Sequence, residues 1–252
     1  MFSFDSLSVS SFLVEENEFY KLYHNTDALF MYDYNFMQLK FQPTLEEFKI
    51  LEDIQLDFHS YHNVEHLKFY WPENTGFTEP LISYFNRKNY GIETLELYVL
   101  NPNDFHTTKR NQDVSISTVS DQTLQDYQSF NYQIDLNVSP LFAKKKQQLY
   151  QENFYRTDLQ QVTARLNGEV VGTVDLIYSE KTVEIDNFTV GDLFQKQGIG
   201  SELQYYVLTQ ANEKAVILAA DADDTAREMY AAQGYRYFGY RLGIQKELSF
   251  QK

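Results

Sequence analysis

Apolar positions along the 252-residue chain switch repeatedly between alternation at every second residue and recurrence every three or four. The first spacing belongs to half-buried strands and the second to helices, so the pattern predicts a mixed α/β protein. ALFMYDYNFMQLKF (28–41) is rich in β-formers and predicts two short strands around Asp33. PTLEEFKILEDIQLDF then predicts a helix. Thr44 and Glu47 have the spacing of a capping box, and Leu45, Phe48, Ile50, Leu51 and Ile54 supply an apolar face. EHLKFYW (65–71) returns to a strand. TEPLISYFNRKNYG predicts a second helix, capped by Thr78, with Pro80 in its first turn and Gly91 at its end. IETLELYVL (92–100) predicts a closing strand.

NPNDFHTTKRNQD (101–113) is polar and carries a proline, which makes it the best candidate boundary between an N-terminal domain (1–105) and a C-terminal one (113–252). Beyond it, VSISTVS (114–120) predicts a strand, and helices follow over 121–130 and 139–155. The run Lys144-Lys145-Lys146 reads as a solvated helix face. The clearest pattern comes next. Asn167-Gly168 separates two alternating runs, the strongest short-range hairpin signal, and Glu180-Lys181 turns into a third strand ending at Val190. A glycine pair, Gly198 and Gly200, then opens a helix with Leu203, Val207 and Leu208 facing inward. AVILAA (215–220) is short and continuously apolar, as a buried strand should be. DDTAREMYAAQGY predicts a last helix ending at Gly234, and the tail supplies one or two strands.

Composition narrows the function classes. A hydrophobic content of 43% is enough to build a core. The net charge of −15 argues against nonspecific nucleic-acid binding, which needs a basic surface; it would suit a cationic partner such as an amine, against the plainer reading that it serves solubility alone. With no cysteine, disulfides, thiolate catalysis and Cys-type zinc sites are excluded together. No basic residue precedes Lys21, so the start does not read as a signal peptide, and no apolar run approaches the ~20 residues of a membrane span. A cytoplasmic protein without membrane or nucleic-acid partners is expected. HNVEH (62–66) fits an inverted zinc-protease motif, but the strand that follows starts inside it, so an ordinary loop is the better reading and no metal is expected.

The glycine pair carries the candidate chemistry. A dinucleotide turn would need a third glycine where Leu203 stands, after a first parallel strand, and a phosphate loop would need a following Gly-Lys-Ser/Thr. Neither holds. The stretch Gln195-Lys196-Gln197-Gly198-Ile199-Gly200, five residues after Val190, resembles the acyl-CoA motif Gln/Arg-x-x-Gly-x-Gly/Ala of the GNAT superfamily of acyltransferases. A second family pattern, Asn-x-x-Ala-x-x-Leu-Tyr-x-x-x-Gly-Phe, is similar to Asp223 through Tyr230 followed by Gly234-Tyr235. Ala226, Tyr230 and Gly234 hold, while Asp223 replaces Asn, Met229 replaces Leu and Tyr235 replaces Phe. The resemblance covers roughly residues 113–248. It implies an α/β fold of the α+β type, with a mixed, mostly antiparallel sheet flanked by helices.

The resemblance further implies acetyl-CoA as co-substrate, an amine acceptor, and direct transfer of an acyl group without a covalent enzyme intermediate. A helix N-terminus offers unpaired N–H groups and positive potential to a pyrophosphate, and two glycines would let it approach. CoA contacts are implied for Phe188, Val190, Gln195, Lys196, Gln197, Gly198, Ile199, Gly200, Ser201, Asp223, Ala226 and Tyr230. The pantetheine arm would pair with the strand ending at Val190. Tyr230 stands where many members carry the proton donor to the CoA thiolate. Glu184 and Asp186 share one face of their strand and are the candidate bases, against a reading as ordinary exposed carboxylates; Asp175 is a weaker third. Asp223 can still cap a helix, but it has lost the amide donor of the usual Asn.

The N-terminal part lacks the glycine motif. It reads either as a degenerate half of the same fold or as an unrelated α/β cap that shapes the acceptor site. The main rival to an enzyme is a CoA-binding regulatory or scaffold protein without turnover. The sequence identifies neither the acceptor amine nor the oligomeric state, monomer or homodimer.

Overall fold

A computed structural model of the protein describes residues 2–106, 109–223 and 227–248. The chain forms two compact units, one comprising Met1–Leu97, Ala219–Asp224 and Phe238–Lys252, the other Tyr98–Leu218 and Thr225–Tyr237. Among the described residues no helix is long and apolar enough to cross a membrane.

The first unit opens with an antiparallel meander of β1 (Phe12–Glu16), β2 (Tyr20–His24) and β3 (Phe36–Leu39). Helix α1 (Leu45–Tyr61) leads to β4 (His66–Tyr70), which runs parallel to β3. Helix α2 (Glu79–Lys88) and β5 (Gly91–Leu100) follow. The strands β1 and β2 went unread in the sequence; they meet at Asn17, whose side chain accepts from the N–H groups of Phe19 and Tyr20. Only one strand forms within 28–41. Residues before it are held in turns, because Asn25 accepts from the N–H groups of Asp27 and Ala28 while Asn35 donates to the carbonyls of Ala28 and Met31.

The capping box of α1 is present: Thr44 accepts from the Glu47 N–H and the Glu47 carboxylate accepts from the Thr44 N–H. Its buried stripe is Phe48, Leu51, Gln55 and His59, whereas Ile50 and Ile54 face solvent, contrary to the apolar face expected of them. Gln55 is drawn inward by backbone: its amide donates to the Lys68 carbonyl and its oxygen accepts from the Lys68 N–H. Helix α2 stops at Asn89, in the left-handed conformation that Asn tolerates, so Gly91 begins β5 and does not end the helix. The core packs Phe48, Phe69, Trp71 and Phe85 largely edge to face.

The second unit starts with β6 (Val114–Thr118), then α3 (Leu124–Asp135) and α4 (Pro140–Phe154). In α4, Lys144 and Lys145 are exposed, but Lys146 lies over the rings of Phe142 and Tyr150. The expected meander follows as β7 (Leu159–Leu166), β8 (Glu169–Tyr178) and β9 (Thr182–Val190). Asn167 and Gly168 both take positive φ, 51° and 88°, the geometry of a two-residue hairpin turn. Helix α5 (Ile199–Ala211), strand β10 (Ala215–Asp221) and helix α6 (Arg227–Ala232) complete this part, with strands in the order β10-β9-β8-β7-β6. Within the first unit, residues Gly243–Glu247 of the last strand, β11 (Arg236–Glu247), pair antiparallel with β4.

Candidate active site

The site expected from the glycine motif is built on β9. Along β8 and β9, Thr173 faces Thr189 but Asp175 faces Asp186, so β9 contains one residue more than its partner. This is a β-bulge. Asn187 occupies it with φ of +46°, and its side-chain amide donates to the Tyr127 hydroxyl (2.9 Å) and to Asn131 Oδ1 (3.2 Å). The bulge shifts the strand's alternation. Glu184 and Asp186 keep one face, as the sequence spacing required. Phe188 and Val190, which would share that face in a regular strand, turn to the α5 side instead. Phe188 comes to 3.7 Å of where a Gly200 Cβ would stand. Gly172 of β8 lies between Val190 and Leu203 of α5, where an added Cβ would meet the Thr189 carbonyl at 2.9 Å.

On its other edge, among the described residues, β9 pairs in parallel with β10 from Thr182–Ala215 to Glu184–Ile217. Beyond Glu184, β9 runs six residues further, to Val190. Parallel strands that separate in this way leave a row of backbone donors and acceptors open to an extended ligand.

Helix α5 starts where that open edge leads. Its N-cap is Gly198, with φ of +83° and no side-chain cap. The first helical bond runs from the Glu202 N–H to the Gly198 carbonyl, so the N–H groups of Ile199 and Gly200 point out of the start of the helix. Lys196 is exposed in the preceding loop, with φ of +59°. Gln195 and Gln197 brace this loop: Gln195 donates to Asp192 Oδ1 and Gln197 to the Leu193 carbonyl.

The two glycines differ in their surroundings. A Cβ on Gly198 would lie 2.9–3.1 Å from backbone atoms of Lys109, Arg110 and Asn111. Gly198 is therefore fixed by its φ and by that neighbouring segment, whatever binds at the helix. Arg110 holds the segment in place with a bidentate pair to the buried Glu202 (3.0 and 2.7 Å) and stacks over Tyr205. At Gly200 an added Cβ would make only ordinary contacts, to Phe188 and to the Met229 sulfur at 3.8 Å.

That Met229 contact brings α6 against the start of α5. Its neighbour Tyr230 is buried between Tyr98 and Tyr235, with ring centroids 5.4 Å away on each side. Tyr235 in turn donates to Gln204 of α5 (2.6 Å). Asp223 belongs to the first unit, is exposed, and donates its N–H to Asp221. Ala226 lies outside the described residues.

On the α3 and α4 side of the sheet, Asp175 is 2% exposed and accepts from the Tyr127 hydroxyl at 2.7 Å. Burial, and then the nearby Asp186 charge, push its carboxyl up to about 8. Asp186 itself is exposed, directly across from Asp175 and one residue before the bulge. Sequence reasoning ranked Asp175 below the β9 carboxylates and missed Asn187 altogether. The available signal was an Asn inside a β-rich run, since Asn is the residue most often found at positive φ after Gly. Among the described residues, no three His, Cys, Asp or Glu side chains are grouped so as to hold a metal ion.

Residues 122–235 match the family model described as the acetyltransferase (GNAT) family. These residues form a GNAT-family domain. Residues 2–98 match a domain of unknown function, DUF5613. A functionally unknown conserved protein from Staphylococcus epidermidis is 32% identical, with 98% of each chain covered and a TM-score of 0.92. A GCN5-related N-acetyltransferase from Kribbella flavida aligns over 94% of this chain and 90% of its own, at 13% identity and a TM-score of 0.61. A tandem GNAT protein from the clavulanic acid biosynthesis pathway aligns over 86% of this chain and 76% of its own, at 12% identity and a TM-score of 0.54. At these identities the likeness to the last two is one of fold. It extends into the N-terminal half, which also resembles a GNAT-like fold. No curated protein matches the sequence. The GNAT fold expected from the glycine motif is thus present, and family and fold support an acyl-CoA-dependent N-acyltransferase at the general level.

Proposed function

We propose that the protein transfers an acyl group, in the simplest case acetyl, from CoA to a primary amine by direct attack. The observation that carries this reading is the continuity of two features: the β9 edge beyond Glu184 and the start of α5 at its glycine N-cap, Gly198. The first suits the amide-bearing pantetheine arm. The second, with Lys196 nearby, suits the pyrophosphate. Asp186 is the favoured base, because it is exposed beyond the last β9–β10 pair, whereas Glu184 still lies within that ladder.

In this reading an ammonium acceptor loses one proton to Asp186, and the freed lone pair attacks the acyl carbon. The C–N bond forms, the C–S bond breaks, and the nitrogen releases its second proton to solvent. Tyr230 donates to the departing thiolate and regains its proton from solvent.

The first unit repeats the order of meander, helix and parallel strand, but α1 starts differently from α5. Thr44 and Glu47 cap it, Glu46 and Glu47 place negative charge in its first turn, and the bonds from Thr44 hold the Glu47 carboxyl below the usual range. That end would repel a phosphate. CoA binding is assigned to the second unit alone.

Calorimetric titration with acetyl-CoA tests the donor site, and thiol release against polyamines, aminoglycosides and lysine tests turnover. Binding with turnover supports the proposal. Binding without turnover on any amine points to the regulatory alternative, and no binding at millimolar ligand overturns both.

A further inference from the structure

The candidate base does not stand alone. Asp175 on β8 and Asp186 on β9 are direct cross-strand partners, so their side chains leave the sheet on the same face. One is buried and the other exposed. The buried member is held by Tyr127 of α3, and Tyr127 is held in turn by Asn187 at the bulge. The device that reshapes β9 therefore also orients the pair.

We propose that Asp175 is a positioning residue for Asp186: the two carboxylates together receive the proton that leaves a cationic amine acceptor, and this shared site is the base of the transfer. The inference rests on the N-acyltransferase reading and sharpens its substrate class. Even with one proton bound, the pair keeps a negative charge at the exposed Asp186, which selects an ammonium over an anionic acceptor. Two charges this close do not ionise independently, so the pair takes up its first proton at a higher pH than a lone exposed carboxylate. That matches a base to an amine far better than an ordinary aspartate would.

The surrounding groups are consistent with this. Burial and Asp186 oppose the charged form of Asp175, while Tyr127, Lys146 and Arg156 favour it. Tyr150 of α4 donates to Asp135 of α3, and Lys146 lies 4.0 Å from the same Asp135. Asp135 is thereby occupied, and Asp186 is the carboxylate that acts on Asp175.

The test compares the pH dependence of kcat in wild type and Asp175→Asn, using the amine with the highest turnover from the panel above. The isosteric amide still accepts from Tyr127. In wild type, kcat should rise with pH along a limb well above the carboxylate range. In Asp175→Asn that limb should fall by at least about two pH units, towards that of a lone aspartate. Superimposable limbs overturn the proposal. A second measurement needs no turnover: carboxyl carbon NMR titration of wild type and Asp186→Asn, a surface substitution. The high-titrating carboxyl should move down by roughly half a unit or more when its neighbour's charge is removed. An unmoved titration overturns the pairing. A coupled titration with no acetylation of any amine would retain the pair and sink the acyltransferase reading instead.

Discussion

A Cβ added to Gly198 would stand 2.9 Å from the carbonyl oxygen of Lys109, on a backbone with φ of +83°. Both facts penalise any side chain there. Gly198→Ala should destabilise the second unit by about 1–3 kcal/mol, with a lower Tm in the absence of acetyl-CoA. An unchanged Tm would contradict the close packing. A weakened CoA affinity in such a variant would mix strain with lost contacts, so Gly198 is a poor place to probe the donor site.

Tyr230 offers a cleaner probe. It is buried between two other tyrosines, so Tyr230→Phe keeps the ring packing and removes only the hydroxyl. We expect kcat to fall by about 10²-fold or more, with acetyl-CoA affinity nearly unchanged. Steady-state thiol release beside calorimetry checks this. Equal kcat in the two proteins would remove Tyr230 from the chemistry.

Asn187 should matter for both stability and donor binding. Ala in its place must hold a φ of +46° and gives up the donors to Tyr127 and Asn131. The cost should be about 2 kcal/mol in urea unfolding. Asn187→Gly, which tolerates the backbone, should recover part of it. Acetyl-CoA affinity should drop in Asn187→Ala as β9 relaxes. If both variants match wild type, the bulge does not shape the open edge.

The first unit should be acid-sensitive. His59 and His66 are buried, and burial pushes each of them down to about 4, with His24 also lowered. These folded-state values lie below the unfolded value near 6.5, so the unfolded chain binds protons first. Their contribution is complete above about pH 6.5 and is lost as pH falls towards 4. The two more strongly shifted groups together amount to several kcal/mol, on the order of what a small domain has in total. Urea midpoints at pH 7.5 and 5 measure the loss. His66→Gln should show a shallower one, and an equal slope would place the sensitivity elsewhere.

The local features of this protein were written in its sequence. Thr44 and Glu47, three residues apart, specify the start of α1. Asn167-Gly168 specifies a hairpin, since few other residues accept two successive positive φ values. Gln195 to Gly200 specifies the turn into α5. Each depends on neighbours along the chain, so each can be read from spacing and residue type. Other features depend on which distant segments meet. The burial of Asp175 required α3 and α4 to close over β8. The inward turn of Gln55 required the backbone of β4, and the constraint on Gly198 required the segment at Lys109. The bulge at Asn187 became visible only once β8 supplied the register against which to count. The sequence by itself determined most of the elements after Thr44 and the family of the C-terminal part. Tertiary structure decided which faces those elements present and which carboxylates meet, because register and burial arise from long-range packing that no local pattern encodes.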